Sequence, residues 1–169
     1  MHLKDYFRGQ RIQLCSPLSA EVVSERVGAE VGSPFWSFST GVVGRVWNGH
    51  VRLKVSNSPF EYNAKPVLAG TVRNRAVGSE FDLLYRAPAG AGIFFIVWYG
   101  FLTFLGLGAL TNSWNPELTR SDIAFVVAIY GVLLVAPIGM HIVGTRHSDS
   151  DLADLIDFLV AHTDAKPKP

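Results

Sequence analysis

The side chains that most often perform catalysis or bind metals are few in this chain and lie far apart. His141 and His147 are six residues apart, which is not a spacing typical of zinc ligands. The carboxylates show no pairing suited to general acid–base chemistry, no serine has the context of a nucleophile elbow, and no glycine-rich loop precedes a helix to hold phosphates. We therefore predict a protein that is not an enzyme, with no catalytic residue, no cofactor and no metal site.

Cationic side chains on predicted strands form the one surface to which the sequence assigns a binding role. Val42 to Trp47 and His50 to Ser56 flank Asn48-Gly49, the preferred pair for a two-residue type I′ turn. This turn pairs Trp47 with His50, so that one face of the hairpin is apolar and the cations share the other. The apolar face holds Val42, Val46, Val51, Leu53 and Val55. The candidate surface-binding residues are Arg45, His50, Arg52, Lys54, Arg73 and Arg75. Their expected ligand is an anionic lipid headgroup or a protein partner, and a merely solvated face is the alternative.

The elements that carry these residues are a helix and four strands. Ser16 to Val31 has apolar residues near helical spacing, with Ser19 as the N-cap. Val67 to Asn74 and Glu80 to Arg86 complete the set of strands, and the last of them alternates apolar and polar residues. We expect a four-stranded antiparallel β-meander packed on the N-terminal helix.

Two long segments without charged residues follow the strands. Ala87 to Pro116 contains no Asp, Glu, Lys or Arg, and neither does Ile123 to Thr145. A membrane-spanning helix needs about 20 mainly apolar residues. Neither segment has the polar stripe of an amphipathic helix, which disfavours the alternative of two core helices in a soluble protein. We predict two spans, 93–111 and 123–143, joined by a short loop into an antiparallel hairpin.

Charged and aromatic residues near the spans predict their orientation. Arg73, Arg75 and Arg86 precede the first span, and Arg146 follows the second. Because Lys and Arg accumulate on the cytoplasmic side, both termini are expected in the cytoplasm.

Small and polar residues within the spans are candidates for helix packing and anchoring. Trp98 and Tyr99 are of the type enriched at membrane interfaces, although they sit deep in their span, and we interpret His141 as an interface anchor. Close packing within the hairpin is preferred over association between molecules for the candidate span-packing residues Gly100, Gly106, Gly108, Ala124 and Ala128.

The predicted organisation is an α+β membrane protein with an interrupted cytoplasmic domain. A cytoplasmic α+β domain covers 1–88, a transmembrane hairpin covers 89–145, and a C-terminal amphipathic helix over 146–164 packs on the cytoplasmic domain. Residues 165–169 are expected to be a disordered tail. The fold class is therefore an N-terminal helix, a four-stranded antiparallel β-meander, a two-helix transmembrane hairpin and a C-terminal amphipathic helix.

Composition limits the partners. The net charge is +1 and hydrophobic residues make up 49% of the chain, so no strong field for binding polyanions exists and nucleic acid is not an expected partner. The single Cys15 cannot form an internal disulfide, which fits a cytoplasmic N-terminal region. Membrane lipids and an unidentified protein are the expected partners, and the small residues of the spans leave a homo-oligomer open.

Two stretches, Gly41 to Val46 and Tyr62 to Val72, resemble a widespread type of uncharacterised bacterial membrane protein. Such proteins have a short β-meander with an Asn-x-x-Pro-x-x-x-Gly-like stretch, a two-span hairpin and a C-terminal helix. This chain departs from them at Gly78-Ser79, where they often have a longer glycine-rich turn. It is more loosely similar to bacterial pleckstrin-homology-like domains joined to membrane hairpins. The resemblance implies a multi-pass protein of the bacterial cytoplasmic (inner) membrane and transfers no activity.

The sequence thus predicts a non-enzymatic, membrane-anchored module whose cytoplasmic β-domain binds a protein partner or lipid headgroups. The alternative is a small membrane effector or pore subunit whose hairpins oligomerise through the glycine side of the first span. An enzyme acting on lipid at the interface is a third hypothesis, for which His50 beside Arg52 is the first pair to substitute.

Overall fold

Helices and strands occupy most of the chain in the computed structural model, which describes residues 3–32, 40–56, 65–110 and 120–168. Residues 1–2, 33–39, 57–64, 111–119 and 169 lie outside these ranges, and they include most of the loop between the predicted spans. The elements in chain order are α1 (Leu3–Arg8), β1 (Gln10–Ser16), α2 (Ala20–Glu30), β2 (Gly41–Trp47), β3 (His50–Ser56), β4 (Val67–Asn74), β5 (Ser79–Arg86), α3 (Ala89–Leu110), α4 (Arg120–Thr145), α5 (Ser148–Thr163) and β6 (Lys166–Pro167). They form two compact units, Met1–Pro88 with Thr145–Pro169 and Ala89–Gly144.

A mixed α+β architecture with an antiparallel sheet is confirmed, but the sheet has six strands rather than four. Its order is β2-β3-β4-β5-β1-β6, and every pair of neighbours is antiparallel. The four predicted strands are the consecutive neighbours β2 to β5. The two additional strands, β1 and β6, continue the sheet beyond β5.

The two missed strands have weak local signals. β1 reads Gln-Arg-Ile-Gln-Leu-Cys-Ser and supplies only Ile12 and Leu14 as large apolar residues. β6 is two residues long, and pairs Pro167 with Leu14 of β1. The predicted disordered tail therefore differs from the structure at residues 165–168, where Lys168 N–H also donates to the Gln13 carbonyl at 3.1 Å. Proline is tolerated here because β6 is an edge strand.

The predicted turn between β2 and β3 is confirmed together with its register. Asn48 and Gly49 have φ values of 46° and 73°, the left-handed conformation that a type I′ turn requires at both positions. Trp47 pairs with His50 and Arg45 pairs with Arg52, as the two-residue loop dictates. This register directs Val42, Val46, Val51 and Val55 towards the core and the cations away from it, whereas Val43, the partner of Lys54, lies on the side of the cations.

One face of the sheet is covered by α2 and α5, and the hydrophobic core lies between these layers. The N-cap prediction is confirmed, because the Ser19 hydroxyl accepts a hydrogen bond from Val22 N–H at 3.4 Å and the helix begins at Ala20. The core includes the fully buried residues Val23, Val27, Leu53, Leu68, Phe81, Leu155 and Leu159.

Polar contacts fasten α5 to the sheet at both of its ends. At its start, the Tyr85 hydroxyl donates to the Ser148 carbonyl at 2.9 Å, and Lys65 pairs with the largely buried Asp151 at 3.3 Å. At its end, the Ser16 hydroxyl donates to the Thr163 carbonyl at 2.5 Å. These contacts join residues on either side of the α3–α4 insertion into one domain.

Helices α3 and α4 form an antiparallel hairpin in the second unit. Phe95 near the start of α3 packs on His141 near the end of α4, and Gly106 of α3 lies against Tyr130 of α4. Among the described residues, one helix, at 89–108, is long and apolar enough to cross a membrane, and 124–139 is a shorter apolar helix. The structure thus supports one span by length and composition, and the two-span membrane hairpin stays a proposal.

Trp98 and Tyr99 donate hydrogen bonds to α4, and Pro137 explains the contact of Trp98. Proline has no N–H, so Pro137 leaves the carbonyl of Leu133, four residues earlier, without its helical donor. The Trp98 indole N–H donates to this carbonyl at 3.1 Å, and the Tyr99 hydroxyl donates to the Leu134 carbonyl at 3.2 Å. The sequence interpretation of both as interface aromatics therefore missed their role in the helix pair.

His141 also differs from its sequence interpretation as an interface anchor. Its side chain is 6% exposed, and its ring packs edge-on against Phe95 with the ring centroids 5.9 Å apart. The ring thus contributes to the contact between the two helices.

The Trp98 bond predicts a specific coupling between the helices. Trp98→Phe removes the indole N–H that donates to the Leu133 carbonyl. We expect this change to destabilise the hairpin by about 1 kcal/mol, because the carbonyl then lacks both this donor and a helical one. In a Pro137→Ala background that carbonyl regains a helical N–H, and Trp98→Phe should cost less. Unfolding of the four proteins in mixed micelles measures the coupling. An equal cost in both backgrounds would contradict this assignment.

Two buried serines in neighbouring strands provide a second prediction. Ser16 and Ser79 are Cα partners in the β1–β5 register, but only Ser16 has hydrogen bonds; the Ser79 hydroxyl has no partner among the described residues. Ser16→Ala should lower the free energy of unfolding by about 1–3 kcal/mol, whereas Ser79→Ala should be neutral or stabilising. Thermal unfolding of the full-length variants tests this, and a comparable loss in both would overturn it.

Candidate anion-binding surface

The sheet face opposite the α2–α5 layer, here called the outer face, carries most of the sequence-predicted binding residues. Arg45 pairs with Arg52, and Arg52 pairs in turn with Ala69 of β4. Positions 69, 71 and 73 alternate along β4, so Arg73 points to the same side as Arg52. The outer face of β2, β3 and β4 is called the cationic half, and its residues are Arg45, His50, Arg52, Lys54 and Arg73.

The cationic half has no carboxylate on its own strands. β2, β3 and β4 contain no Asp or Glu, and Arg45 lies directly opposite Arg52. Like charges at directly opposite positions destabilise a sheet, so this arrangement costs folding free energy. Arg45, His50, Arg52 and Arg73 are exposed to solvent and Lys54 is half-buried. The strands therefore concentrate positive charge where an anion has access.

On β1, β5 and β6 the two outer-face carboxylates, Asp82 and Glu80, are neutralised by ion pairs. Arg11 of β1 donates two hydrogen bonds to Asp82 of β5, at 2.8 and 2.7 Å. Glu80 accepts from Lys168 at 2.5 Å and pairs with Arg75 at 3.2 Å. These contacts lower the pKa values of both carboxyls, through the hydrogen bond from Arg11 to Asp82 and from Lys168 to Glu80.

Arg75 therefore does not belong with the other five predicted binding residues. Its guanidinium contacts Glu80 and lies 3.5 Å from the Cys15 sulfur, on the neutralised side of the face. The sequence grouped it with Arg73 because the two are close along the chain. The structure brings five of the six residues together on β2 to β4.

The cations are distributed along the strands between two ends of the sheet. The turn end holds the Asn48-Gly49 turn, the stacked rings of Trp47 and His50 (centroids 5.7 Å apart) and, further along β4, Arg73. The exit end is where β5 ends at Arg86 and α5 begins at Ser148.

Four cations lie at the exit end, and the sequence analysis did not group them. Lys54 of β3 and Arg86 of β5 lie on either side of the start of β4. Leu53, which precedes Lys54, pairs with Leu68 of β4. Val67, which precedes Leu68, pairs with Arg86. Ala87 N–H donates to the Tyr6 carbonyl of α1 at 2.8 Å, which brings the end of α1 to the same place. The exit-end cations are Arg8, Lys54, Arg86 and Arg146.

The candidate span-packing residues separate into contacting and exposed positions in the α3–α4 unit. A Cβ atom on Gly106 would come within 2.9 Å of the Tyr130 hydroxyl, so this glycine permits close approach of the helices. Gly108 is half-buried. Gly100 has open space around it, and Ala124 and Ala128 are exposed. Of the five residues, only Gly106 has a described contact between the two helices.

The described residues also constrain the chemistry of the surface. Within them, no group of three or more His, Cys, Asp or Glu side chains could hold a metal ion. His50 has Trp47 as its stacking neighbour and lies opposite Thr71. What the outer face offers is therefore cationic hydrogen-bond donors next to an aromatic ring.

Comparison with protein-family models, curated proteins and solved structures found no match to this chain.

Proposed function

We propose that the protein is a non-enzymatic, membrane-anchored module. In this proposal the α3–α4 hairpin crosses the bacterial cytoplasmic membrane twice and holds the sheet domain at the inner surface. The cationic half of the outer face then binds an anionic partner there. The observation that carries the proposal is the exposure of α3. In an 18-residue window of its apolar stretch at 89–108, only 11% of the residues are buried.

Exposure of apolar side chains around the hairpin supports a lipid environment. On α3, Ile96 is 75% exposed and Phe104 is 65% exposed, and on α4 Phe125 is 67% exposed. Burying such a side chain is worth about 1.5–3 kcal/mol, a gain that a soluble fold would not leave unused at so many positions. A core helix of a soluble protein would be mostly buried, whereas a helix in lipid keeps these side chains outward.

The second crossing is supported by how α4 accompanies α3. The 26 residues of α4 give a length of about 39 Å, which exceeds the roughly 30 Å of a hydrocarbon core. Its contacts with α3 extend from Tyr130 to His141. The donors from Trp98 and Tyr99 also satisfy carbonyls at Leu133 and Leu134, as expected where no water is present to do so.

The distribution of charge supports a cytoplasmic position for the sheet domain. Arg86 precedes α3 and Arg146 follows α4, so both ends of the hairpin carry arginine on the side of the sheet. Positive residues close to spans favour the cytoplasmic side. The surface presented there combines four cations on β2 to β4 with no acidic residue in those strands.

A second candidate function is an oligomerising membrane effector or pore subunit. The observation in its favour is that Gly100, Ala124 and Ala128 lie on exposed sides of the hairpin. Small residues allow close approach between spans of different molecules. A strictly monomeric protein in mild detergent and in lipid would exclude this function, because two spans cannot line a pore alone.

Membrane integration and topology test the proposed function together. The full-length protein should resist extraction from membranes by alkaline carbonate. In a Cys15→Ser background, Glu117→Cys should react with a membrane-impermeant maleimide in intact spheroplasts, whereas Ser150→Cys should react only after permeabilisation. The two cysteines are matched controls on opposite sides of the membrane. Release by carbonate, or labelling of residue 150 from outside, would refute the proposal.

A further inference from the structure

We infer that the exit-end cations, with Lys54 and Arg86 at their centre, bind the phosphate groups of anionic lipids in the membrane that holds the hairpin. This inference rests on the proposed function and goes beyond it by naming the ligand and the end of the sheet domain that binds it.

Chain connectivity limits the distance between these cations and the ends of the spanning helices. Only Ala87 and Pro88 separate Arg86 from the first residue of α3, and Arg146 directly follows the last residue of α4. An extended chain covers at most about 3.6 Å per residue, so the Arg86 backbone is within roughly 11 Å of the start of α3. Lipid phosphates lie at the ends of spanning helices, within reach of an arginine side chain placed there.

The exit-end cations have unused capacity to bind an anion. Within the described parts of the chain, the side chains of Arg8, Lys54, Arg86 and Arg146 form no ion pair or hydrogen bond. The nearby carboxylate of Asp151 is paired with Lys65. By contrast, Arg11, Arg75 and Lys168 on the neutralised side of the outer face all contact carboxylates.

The turn end lies too far along the strands to share this ligand. Arg73 is six residues from Val67, the β4 partner of Arg86, which corresponds to about 20 Å of strand. That distance exceeds two Debye lengths at physiological salt, so charge at the turn end contributes little to binding at the exit end. Arg73 has the same charge and lies on the same face of the sheet, although its β5 partner is Glu80, and it serves as the control for position along the strands.

The experiment measures binding of a short-chain phosphatidylglycerol to the full-length protein in neutral detergent, by native mass spectrometry, with phosphatidylcholine of equal chain length as reference. One cation near a membrane surface is worth about 1 kcal/mol, so Arg86→Gln should weaken phosphatidylglycerol binding about fivefold, and Lys54→Gln with Arg86→Gln about thirtyfold. Arg86→Lys, which keeps the charge, and Arg73→Gln should each stay within about twofold of wild type. Phosphatidylcholine binding should not change in any variant.

Each other result contradicts the inference in a recognisable way. Unchanged phosphatidylglycerol binding in the double variant would refute it, and so would an equal loss in Arg73→Gln. A loss confined to Arg73→Gln would also refute it, because phosphatidylglycerol would then bind at the turn end. Far-ultraviolet circular dichroism of each variant separates lost binding from lost folding. Binding that is kept in Arg86→Lys but lost in Arg86→Gln shows that the charge at position 86 is what the lipid requires. Carbonate extraction is independent of these variants, so the proposed function and the lipid inference can fail separately.

Discussion

The rest of the structure depends on the chain leaving the sheet domain and returning to it at the same end of the sheet. The hydrogen bond from the Tyr85 hydroxyl to the Ser148 carbonyl joins the end of β5 to the start of α5 across the whole α3–α4 insertion. Tyr85 is 1% exposed, and burial raises its pKa, so the hydroxyl stays a protonated donor. Because of this return, α5 can cover the core together with α2, and the sheet has one face left to bind a partner.

The same constraint explains the distribution of charge. Where β5 meets β1 and β6, pairing across the sheet brings carboxylates and cations together, and Asp82 and Glu80 are neutralised. β2 to β4 contain no carboxylate of their own, and Arg73 at the turn end faces Glu80 of β5. Positive charge accumulates on these strands despite the repulsion between Arg45 and Arg52. Lys54 and Arg86 lie at the same end of the sheet because β3 and β5 both pair with β4. The cationic half of the outer face is therefore a product of strand order.

Features set by neighbouring residues could be predicted from the sequence, and features set by distant pairing could not. Asn48-Gly49 fixes its turn locally, and with it the register and the cationic side of the hairpin. β6 forms by pairing with the edge of β1, which is distant in sequence. Arg75 forms an ion pair with Glu80, and Glu80 also pairs with Lys168, which is 88 residues away in the chain. The sequence shows that Pro137 leaves the Leu133 carbonyl without a helical donor, but it does not show that Trp98 of α3 supplies one.

The central claim is that the exposed apolar side chains of the hairpin face lipid. The most direct measurement is the collision accessibility of spin labels placed at Val97 of α3 and Val132 of α4, each 65% exposed, in full-length protein reconstituted in lipid nanodiscs. Our account predicts that both labels collide frequently with oxygen and rarely with a water-soluble nickel chelate, as positions inside a bilayer do. Frequent collision with the nickel chelate, or protection from both reagents, would contradict it.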